Sequence, residues 1–385
     1  MSTPPPTYPS VKLERRIDYV DRLKVLMIVL VILHHTFITY GAPGGWYYAQ
    51  KTTQQAALIP MTLFVAVNQS FFMGFFFFLS ALFVPASYEK KGARRFVTDR
   101  LIRLGIPLVF YSFLFGPVMN YLVYYVGYNH HISFMQYLSG YDDWIDFGVL
   151  WFVAALLLFN LVYVFWRVIF KPRLDDDLSS KLPVGKILVF TIGLGIVSFL
   201  VRIIFPIGWV LKPVGFQLGH FPQYIVMFIL GLMANRNTWI HSITSKDAKQ
   251  LARIAGCAIA LIFPLFYVLL TWLKFPSSYF SGGVHWPSLL YALWEQVTGL
   301  CIMAALLYFA REHWYHSSKF SKNLSRSAFA VYIFHPIVVI SIALALKNWD
   351  TDPVWKLLVA APFAIIGSFL LGSVIVSIPG VKKIV

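Results

Sequence analysis

RRIDYVDRLKVLMIVLVILHHTFITYGAPGG, from Arg15 to Gly45, is the stretch that decides the fold. A basic segment with interspersed acidic residues gives way to an apolar run of membrane-spanning length. His34 and His35 lie in this run, and His35 follows Lys24 by 11 residues, or about 16 Å of helix. That depth is near or just past the midplane of a hydrocarbon core about 30 Å thick. Because an ionisable side chain there is costly and usually faces protein or a cavity, the pair is a candidate functional site. The alternative is a polar helix contact near the outer interface.

The composition places the whole chain in a lipid bilayer. Of its 385 residues, 58% are hydrophobic and only 12% are charged, whereas soluble chains average about 25% charged residues. The net charge of +16 does not require nucleic acid as a partner, since Lys and Arg collect in cytoplasmic loops of membrane proteins. Cys257 and Cys301 lie in apolar runs and give neither a disulfide framework nor a metal-ligand spacing. We therefore predict a membrane protein without a metal and without a nucleic-acid partner.

Ten apolar runs predict an all-α polytopic membrane protein with about ten transmembrane helices in one bundle. They lie at residues 23–41, 58–86, 105–126, 148–170, 187–205, 218–234, 254–273, 289–310, 329–346 and 357–379. The sixth run is short and is interrupted by Pro222. The first run has no small-residue cleavage site, so we interpret it as a retained helix and not as a signal peptide. We expect a cytoplasmic segment at 1–22, a single transmembrane domain at 23–379 and a cytoplasmic tail at 380–385.

The distribution of positive charge predicts the orientation of the chain. With residues 1–22 inside, the segments on that side carry 24 of the 32 Lys and Arg residues, and the opposite loops carry 5. This asymmetry places both termini on the cytoplasmic side. Tyr and Trp cluster at the predicted outer ends of the helices, as interfacial aromatic residues do.

The second inside loop, SYEKKGARRFVTDRLIRLGIP from Ser87 to Pro107, is the most basic segment. Arg100 and Arg103 are three residues apart, which places both guanidiniums on one helix face at the cytoplasmic entrance. Such a fork of planar donors suits phosphate or pyrophosphate. The alternative is a purely topological role with contacts to anionic lipid.

Few other polar residues lie inside the predicted spans. Glu295 is the acidic residue well inside a span; it either steers a histidine tautomer or accepts a proton, or it pairs with Arg202 across the bundle. His335 stands directly before Pro336. We expect it to shape a helix start near the cytoplasmic face; the alternative is contact with a ligand.

Common catalytic motifs are missing from the sequence. It contains no GxxxxGK[ST] loop, no GxSxG elbow and no HExxH, which argues against an ATP-driven pump, a serine hydrolase and a zinc protease. Three aspartates, Asp142, Asp143 and Asp146, lie in an outer loop near where a polar acceptor could arrive. A solvated loop is the simpler interpretation of them.

Five segments, taken in order, resemble the integral-membrane acyltransferases of acyltransferase family 3. DRLKVLMIVLVILHH, from Asp21 to His35, is similar to the family's opening, in which an acidic and a basic residue precede a histidine deep in the first helix. FFMGFFFFLSALFVPASYEKKGARRFVTDRLIRLGIPLVF resembles its aromatic helix, basic loop with Arg-x-x-Arg, and proline. LWFVAALLLFNLVY, FPQYIVMFILGL and SRSAFAVYIFHPIV are similar to later family segments.

The sequence departs from the family pattern at two positions. Lys24 stands where the family usually has Arg, which keeps the charge but loses the bidentate geometry. Ala81 stands where the family has Gly, so helix packing there is expected to differ. The position of the histidine in the family's first helix matches His35 better than His34. Because neighbouring residues point about 100° apart on a helix, we expect only one of them to face the cavity.

The resemblance implies an enzyme, an acyltransferase of groups other than amino-acyl groups, in the bacterial cytoplasmic membrane. It would move an acyl group, preferably acetyl with succinyl as the second choice, from cytoplasmic acyl-CoA to a hydroxyl of an exported or cell-surface carbohydrate. The chain resembles the stand-alone forms, which have no appended extracytoplasmic domain. Proteins of envelope-glycan biosynthesis are expected partners.

The resemblance also implies roles for individual residues. His35 would be the general base or a covalent acyl relay, with His34 and Glu295 as further catalytic candidates. Arg100 and Arg103 would bind the phosphates of acyl-CoA, together with two further candidates, Lys24 in the first apolar run and Arg16 in the segment before it.

Two other functions compete with the acyltransferase. One is a transporter, or a flippase of a polar or lipid-linked substrate, that uses the same charged cavity without acyl transfer. The other is an inactive acyltransferase-like sensor or scaffold. The acyltransferase hypothesis requires that the first-span imidazole line a passage from the basic inner mouth to the outside.

Overall fold

The computed structural model describes residues 10–170, 183–234, 239–314, 318–381 and 384. The side chains of residues 10–17, 239 and 241 are outside this description. Across the described ranges the chain is helical, and its one β contact is an isolated bridge between Leu211 and Phe216.

Ten apolar helices, here α1 to α10, form the bundle in the described ranges. They are α1 Ser10–Thr39, α2 Gln55–Ala81, α3 Val84–Gly127, α4 Gly148–Phe170, α5 Val184–Ile204, α6 Leu218–Ala234, α7 Ser245–Thr271, α8 Trp286–His313, α9 Lys319–Ala345 and α10 Pro353–Ser377. Nine of them are long and apolar enough to cross a membrane, and α6 is shorter. Each overlaps one of the ten predicted runs, so the prediction of an all-α polytopic membrane protein is confirmed.

Helix α1 lies inside the bundle, where it packs against α2, α8, α9 and α10. This position follows from its sequence, because a helix with histidines in its apolar stretch needs protein on more than one side. We use "outer" for the end of the bundle that carries the loop 128–147, in accordance with the predicted topology. Which end faces the cytoplasm stays a prediction from the charge count.

Helix α3 changes direction and winding at glycine and proline. Gly92 has a φ of 73°, a conformation that glycine adopts without a Cβ penalty. The π-helical turn Leu101–Gly105 comes directly before Pro107. Because proline has no N–H to donate to the carbonyl four residues earlier, a wide turn at this point disturbs the helix least. The turn contains Arg103, so it sets the direction in which this guanidinium leaves the helix.

Helices α6 and α8 both approach α2 closely at glycine. A Cβ added at Gly231 would collide with the carbonyl oxygen of Phe78, and one at Gly299 would collide with that of Ser70. Small residues that allow such close approach are the usual contacts between membrane helices. Ala81 faces Gly231, with its Cβ 2.7 Å from where a Gly231 Cβ would lie, so the glycine on α6 leaves room for the alanine methyl.

A network of buried polar side chains joins α2, α5, α6 and α8. The Gln223 amide donates to the Ser70 carbonyl at 2.7 Å and to Oε1 of Gln296 at 2.9 Å. Gln296 in turn donates to Glu295 at 3.3 Å, and Glu295 accepts a hydrogen bond from Arg202. Because lipid offers no hydrogen-bond partners, these groups must satisfy one another inside the protein. The network therefore fixes how the four helices pack.

Candidate active site

The inner vestibule is a cavity of about 420 Å³ between α1, α2, α3, α4 and α9. Four basic residues and one acidic residue line it, namely Lys24, Lys91, Arg100, Arg103 and Asp99. Lys91 is paired with Asp99 at 2.6 Å. The vestibule is therefore positively charged, as a phosphate-binding site has to be.

Three of the four residues predicted to bind the donor line the vestibule together, namely Lys24, Arg100 and Arg103. The guanidinium of Arg100 lies 4.8 Å from the centre of the Phe96 ring, and the Lys24 ammonium lies 4.6 Å from that of Phe83. These cation–π contacts hold the charges without neutralising them. Lys24 also lies 3.6 Å from Asp21. The side chain of Arg16, the fourth predicted donor-site residue, falls outside the described residues.

The central cavity, of about 560 Å³, lies between α1, α2, α6 and α7. Its walls are mainly apolar, with a few polar side chains among them, including His34, His35, Gln69, His220 and Tyr224. Mostly apolar walls with a few placed polar groups are typical of small-molecule sites.

The outer cleft, of about 820 Å³, adjoins the central cavity. Aromatic residues dominate its lining, namely Trp46, Tyr47, Tyr124, Tyr128, Tyr137, Tyr141 and Trp151. Partial burial raises the pKa of Tyr137 to about 12, and burial raises the pKa of Tyr47 as well. Both hydroxyls are therefore neutral hydrogen-bonding groups at physiological pH.

His35 lines both the central cavity and the outer cleft. Its ring stacks on the indole of Trp46, with 4.0 Å between the ring centres. Its Nδ1 is buried and has no hydrogen-bond partner among the described residues. Such an atom is costly in an apolar interior, and the described residues leave its hydrogen-bonding capacity unused.

His34 has a different environment from its neighbour. Its Nδ1 lies 3.3 Å from the Asn68 amide nitrogen, and its ring stacks on Phe72 with 5.0 Å between centres. The two histidine rings are perpendicular, 5.6 Å apart. His34 is only 6% exposed and lines the central cavity but not the outer cleft. Of the pair, His35 is thus the residue at the junction of the two spaces.

The expectation for His335 was wrong. It lies 16 residues inside α9 and is fully buried, with its ring 5.4 Å from that of His35. Pro336 cannot donate to the carbonyl of Tyr332 four residues earlier, and His335 Nδ1 lies 2.8 Å from that carbonyl oxygen. The proline therefore interrupts a hydrogen bond inside the helix instead of marking its start. The distance of His335 from Arg326, the last charge before it, could have revealed this depth.

With Nδ1 donating to the Tyr332 carbonyl, the Nε2 atom of His335 keeps its lone pair. This Nε2 is buried and has no partner among the described residues. A second imidazole acceptor therefore lies beside the ring of His35.

An aromatic wall separates the inner vestibule from the central cavity. Phe76, Phe152 and Tyr332 form it, with ring centres 5.6 to 6.4 Å apart. Among the described residues, Tyr332 alone lines both spaces, and its hydroxyl donates to the carbonyl of Val149. The continuous passage expected from the sequence is therefore closed in this conformation, because side chains in a tightly packed layer fill the gap.

Glu295 forms the ion pair with Arg202, one of the two predicted alternatives. The exposed fractions of Arg202 and Glu295 are 0% and 1%. His220 joins them, with its Nδ1 3.2 Å from Glu295 Oε1 and 3.2 Å from an Arg202 nitrogen. The histidine beside Glu295 is thus His220 and not His34 or His35. Sequence reasoning missed His220, which lies in the first turn of α6, at the start of the shortest and least regular of the predicted runs.

These features define a class: a polytopic membrane protein with a basic mouth at one end, an aromatic cleft at the other and buried imidazoles between them. A family model for an acyltransferase domain, that of acyltransferase family 3, matches residues 17–373. The chain therefore belongs to acyltransferase family 3 and is an integral-membrane enzyme that transfers acyl groups. No curated protein and no solved structure matches the chain.

Replacing Glu295 separates a structural from a catalytic role. Glu295→Gln leaves the Arg202 guanidinium buried without a counter-charge, which costs about 3–5 kcal/mol. We expect a large loss of folded protein, measured as monodisperse yield and melting midpoint in detergent.

The double variant Arg202→Met, Glu295→Met removes both charges and should recover part of the lost stability. A Glu295→Gln protein with normal stability but no activity would contradict the structural role and support a catalytic one.

Proposed function

We propose that the enzyme transfers an acyl group, preferably acetyl, from cytoplasmic acyl-CoA to a hydroxyl of an exported carbohydrate. The observation that supports this most is the position of His35, which lines both the central cavity and the outer cleft. A base at such a junction can contact two substrates that enter from opposite ends. A transporter would not require an unpartnered imidazole at this point.

The donor would bind through its phosphates in the inner vestibule. Arg100 and Arg103 supply planar donors for them. Lys24, which is paired with Asp21, adds an ammonium group on the same helix that carries His35. The 11 residues between Lys24 and His35 span about 16 Å. An extended phosphopantetheine arm is long enough to cover this distance, so the thioester would enter the central cavity while the nucleotide stays in the vestibule.

The aromatic wall must open for the arm to pass. Tyr332 is the residue that has to move, because it lines both spaces and is held by its hydrogen bond to the Val149 carbonyl. In the closed state the wall keeps water in the vestibule out of the central cavity, and exclusion of water from the reaction space suppresses hydrolysis of a reactive acyl donor.

In the proposed reaction His35 acts as the general base. The imidazole takes the proton of the acceptor hydroxyl, and the oxygen attacks the thioester carbonyl carbon. The new carbon–oxygen bond forms as the carbon–sulfur bond breaks, and the leaving thiolate takes the proton from the imidazolium to give free CoA. A covalent relay would instead form an acyl-histidine first, and trapping of an acylated protein in the absence of acceptor would distinguish the two routes.

Replacement of His35 tests the proposal. His35→Ala removes the base and should lower acyl transfer by about 10²–10⁴-fold. The measurement is the ester content of envelope carbohydrate, by mass spectrometry, in cells in which the variant replaces the native protein. The matched control is His34→Ala, which should retain most activity because His34 lies away from the outer cleft.

Two results would contradict this assignment. Ester content that persists in His35→Ala and disappears in His34→Ala would move the base to His34. Unchanged ester content in both, together with loss of substrate export, would favour a transporter.

Removing positive charge from the inner vestibule tests whether this cavity binds the acyl donor. Arg100→Gln with Arg103→Gln should weaken binding of acetyl-CoA to the purified protein by about tenfold or more, since each charge-assisted hydrogen bond contributes roughly 1.5–3 kcal/mol. Arg94→Gln with Arg95→Gln removes the same charge from exposed positions of the same segment that do not line the vestibule. Titration calorimetry should show little change for this control. Equal weakening by both pairs would mean that acetyl-CoA responds only to the general positive field.

A further inference from the structure

The outer cleft combines aromatic surface with hydrogen-bonding groups. Tyr124, Tyr137 and Tyr141 form a row, with ring centres 5.3 Å and 5.7 Å apart from one to the next. Asn120 and Gln136 also line this side of the cleft. Aromatic faces take up the apolar C–H faces of sugar rings, while carboxylates and amides bind the hydroxyl groups at their edges. The lining is therefore chemically suited to a carbohydrate chain.

The segment that carries this row is ordered by its own hydrogen bonds. A short helix, Phe134–Ser139, begins with a capping box in which Ser133 and Gln136 satisfy each other's backbone N–H groups. The Asn120 amide donates to the Tyr141 hydroxyl at 3.2 Å, which ties the end of the row to α3. The aromatic surface is thus preformed, and a preformed surface costs less to occupy.

The charged side chains that line the outer cleft are all acidic. Asp142, Asp143 and Asp146 line it, and no Lys or Arg is among its lining residues in the described part of the chain. Asp146 accepts a hydrogen bond from the Gly148 backbone N–H at 2.8 Å. None of the three carboxylates forms an ion pair with a residue that the structure describes. A groove lined by unneutralised charge of one sign repels ligands of that sign.

The cleft leads to an imidazole whose Nδ1 is buried and has no described partner. That imidazole is His35, which lines the cleft together with Trp46. The Nε1 of Trp46 is likewise buried and without a partner among the described residues. Two unpartnered polar atoms at the inner end of an aromatic cleft indicate where a bound hydroxyl would be held.

We propose that the outer cleft is the acceptor site and that its three aspartates select neutral or amine-bearing sugar chains against anionic ones. This inference rests on the proposed function and adds the charge class of the acceptor. Sugar residues that carry carboxylate or phosphate groups would be excluded by repulsion, and residues with a protonated amine would be favoured. The row of tyrosines would bind all of them through their common ring faces.

Binding experiments test the selectivity without any acyl transfer. The protein is placed in nanodiscs of zwitterionic lipid, and three tetrasaccharides of similar size are titrated by calorimetry: cellotetraose (neutral), the glucosamine tetramer (cationic) and the galacturonate tetramer (anionic). The galacturonate tetramer should bind about tenfold or more weakly than cellotetraose at low salt, and the difference should shrink as salt screens the charges.

Two variants locate the selectivity. Asp142→Asn with Asp143→Asn should reduce the ratio between neutral and anionic tetramers severalfold while affinity for cellotetraose changes little. Asp350→Asn is the matched control, because Asp350 is an exposed aspartate in another loop of the outer end and does not line the cleft. It should leave the ratio unchanged.

Three results would overturn the proposal. One is equal or tighter binding of the galacturonate tetramer to the native protein. The second is a ratio that does not respond to the double variant, or that responds equally to Asp350→Asn. The third is absence of binding by all three tetramers. Because acetyl-CoA binding in the inner vestibule is measured separately, failure here leaves the proposed acyl transfer standing.

Discussion

The cost of placing a polar side chain in hydrocarbon is the constraint on which the rest of this structure depends. An imidazole at the depth of His35 is tolerated only where protein or an enclosed cavity surrounds it. Helix α1 therefore lies inside the bundle, and Trp46 and His335 stack near the ring. The same cost forces Arg202 and Glu295 to pair. These requirements give the enzyme fixed polar groups in the middle of the membrane.

The arrangement of cavities matches a reaction between substrates from two compartments. A positively charged vestibule, an apolar central cavity and an acidic aromatic cleft follow one another, and each has its own chemistry. The wall at Tyr332 separates the first two, whereas His35 lies at the junction of the second and third. Under the proposed function, the donor and the acceptor would meet only at this junction, which limits the access of water to the thioester.

The sequence predicted much of this because its strongest signals are local. The ten helices follow from apolar length. The convergence of Lys24, Arg100 and Arg103 follows from their places at the inner ends of the first and third predicted apolar runs. Pairing of Arg202 with Glu295 was one of two alternatives, since opposite charges at membrane depth have few other partners. The expectation that only one of the two adjacent histidines faces the cavity was wrong, because both His34 and His35 line the central cavity.

Other parts of the site depend on tertiary contacts that no local pattern contains. His335 was misplaced because a His-Pro pair looks like a helix start, whereas a proline inside a membrane helix is tolerated when a side chain binds the freed carbonyl. No sequence signal marks Tyr332, because an aromatic residue in an apolar run carries no sign of the two spaces that it divides. The packing of Ala81 against Gly231 of another helix is likewise a contact that no local pattern contains.

The most direct test of the central claim is a cryo-EM structure with a non-hydrolysable thioether analogue of acetyl-CoA bound. The account predicts nucleotide phosphates against Arg100 and Arg103, a pantetheine arm that passes a displaced Tyr332, and an acyl carbon within about 4 Å of the His35 ring. An analogue whose acyl end stays on the vestibule side of Phe76, Phe152 and Tyr332 would contradict it. So would an analogue that binds away from His35 altogether.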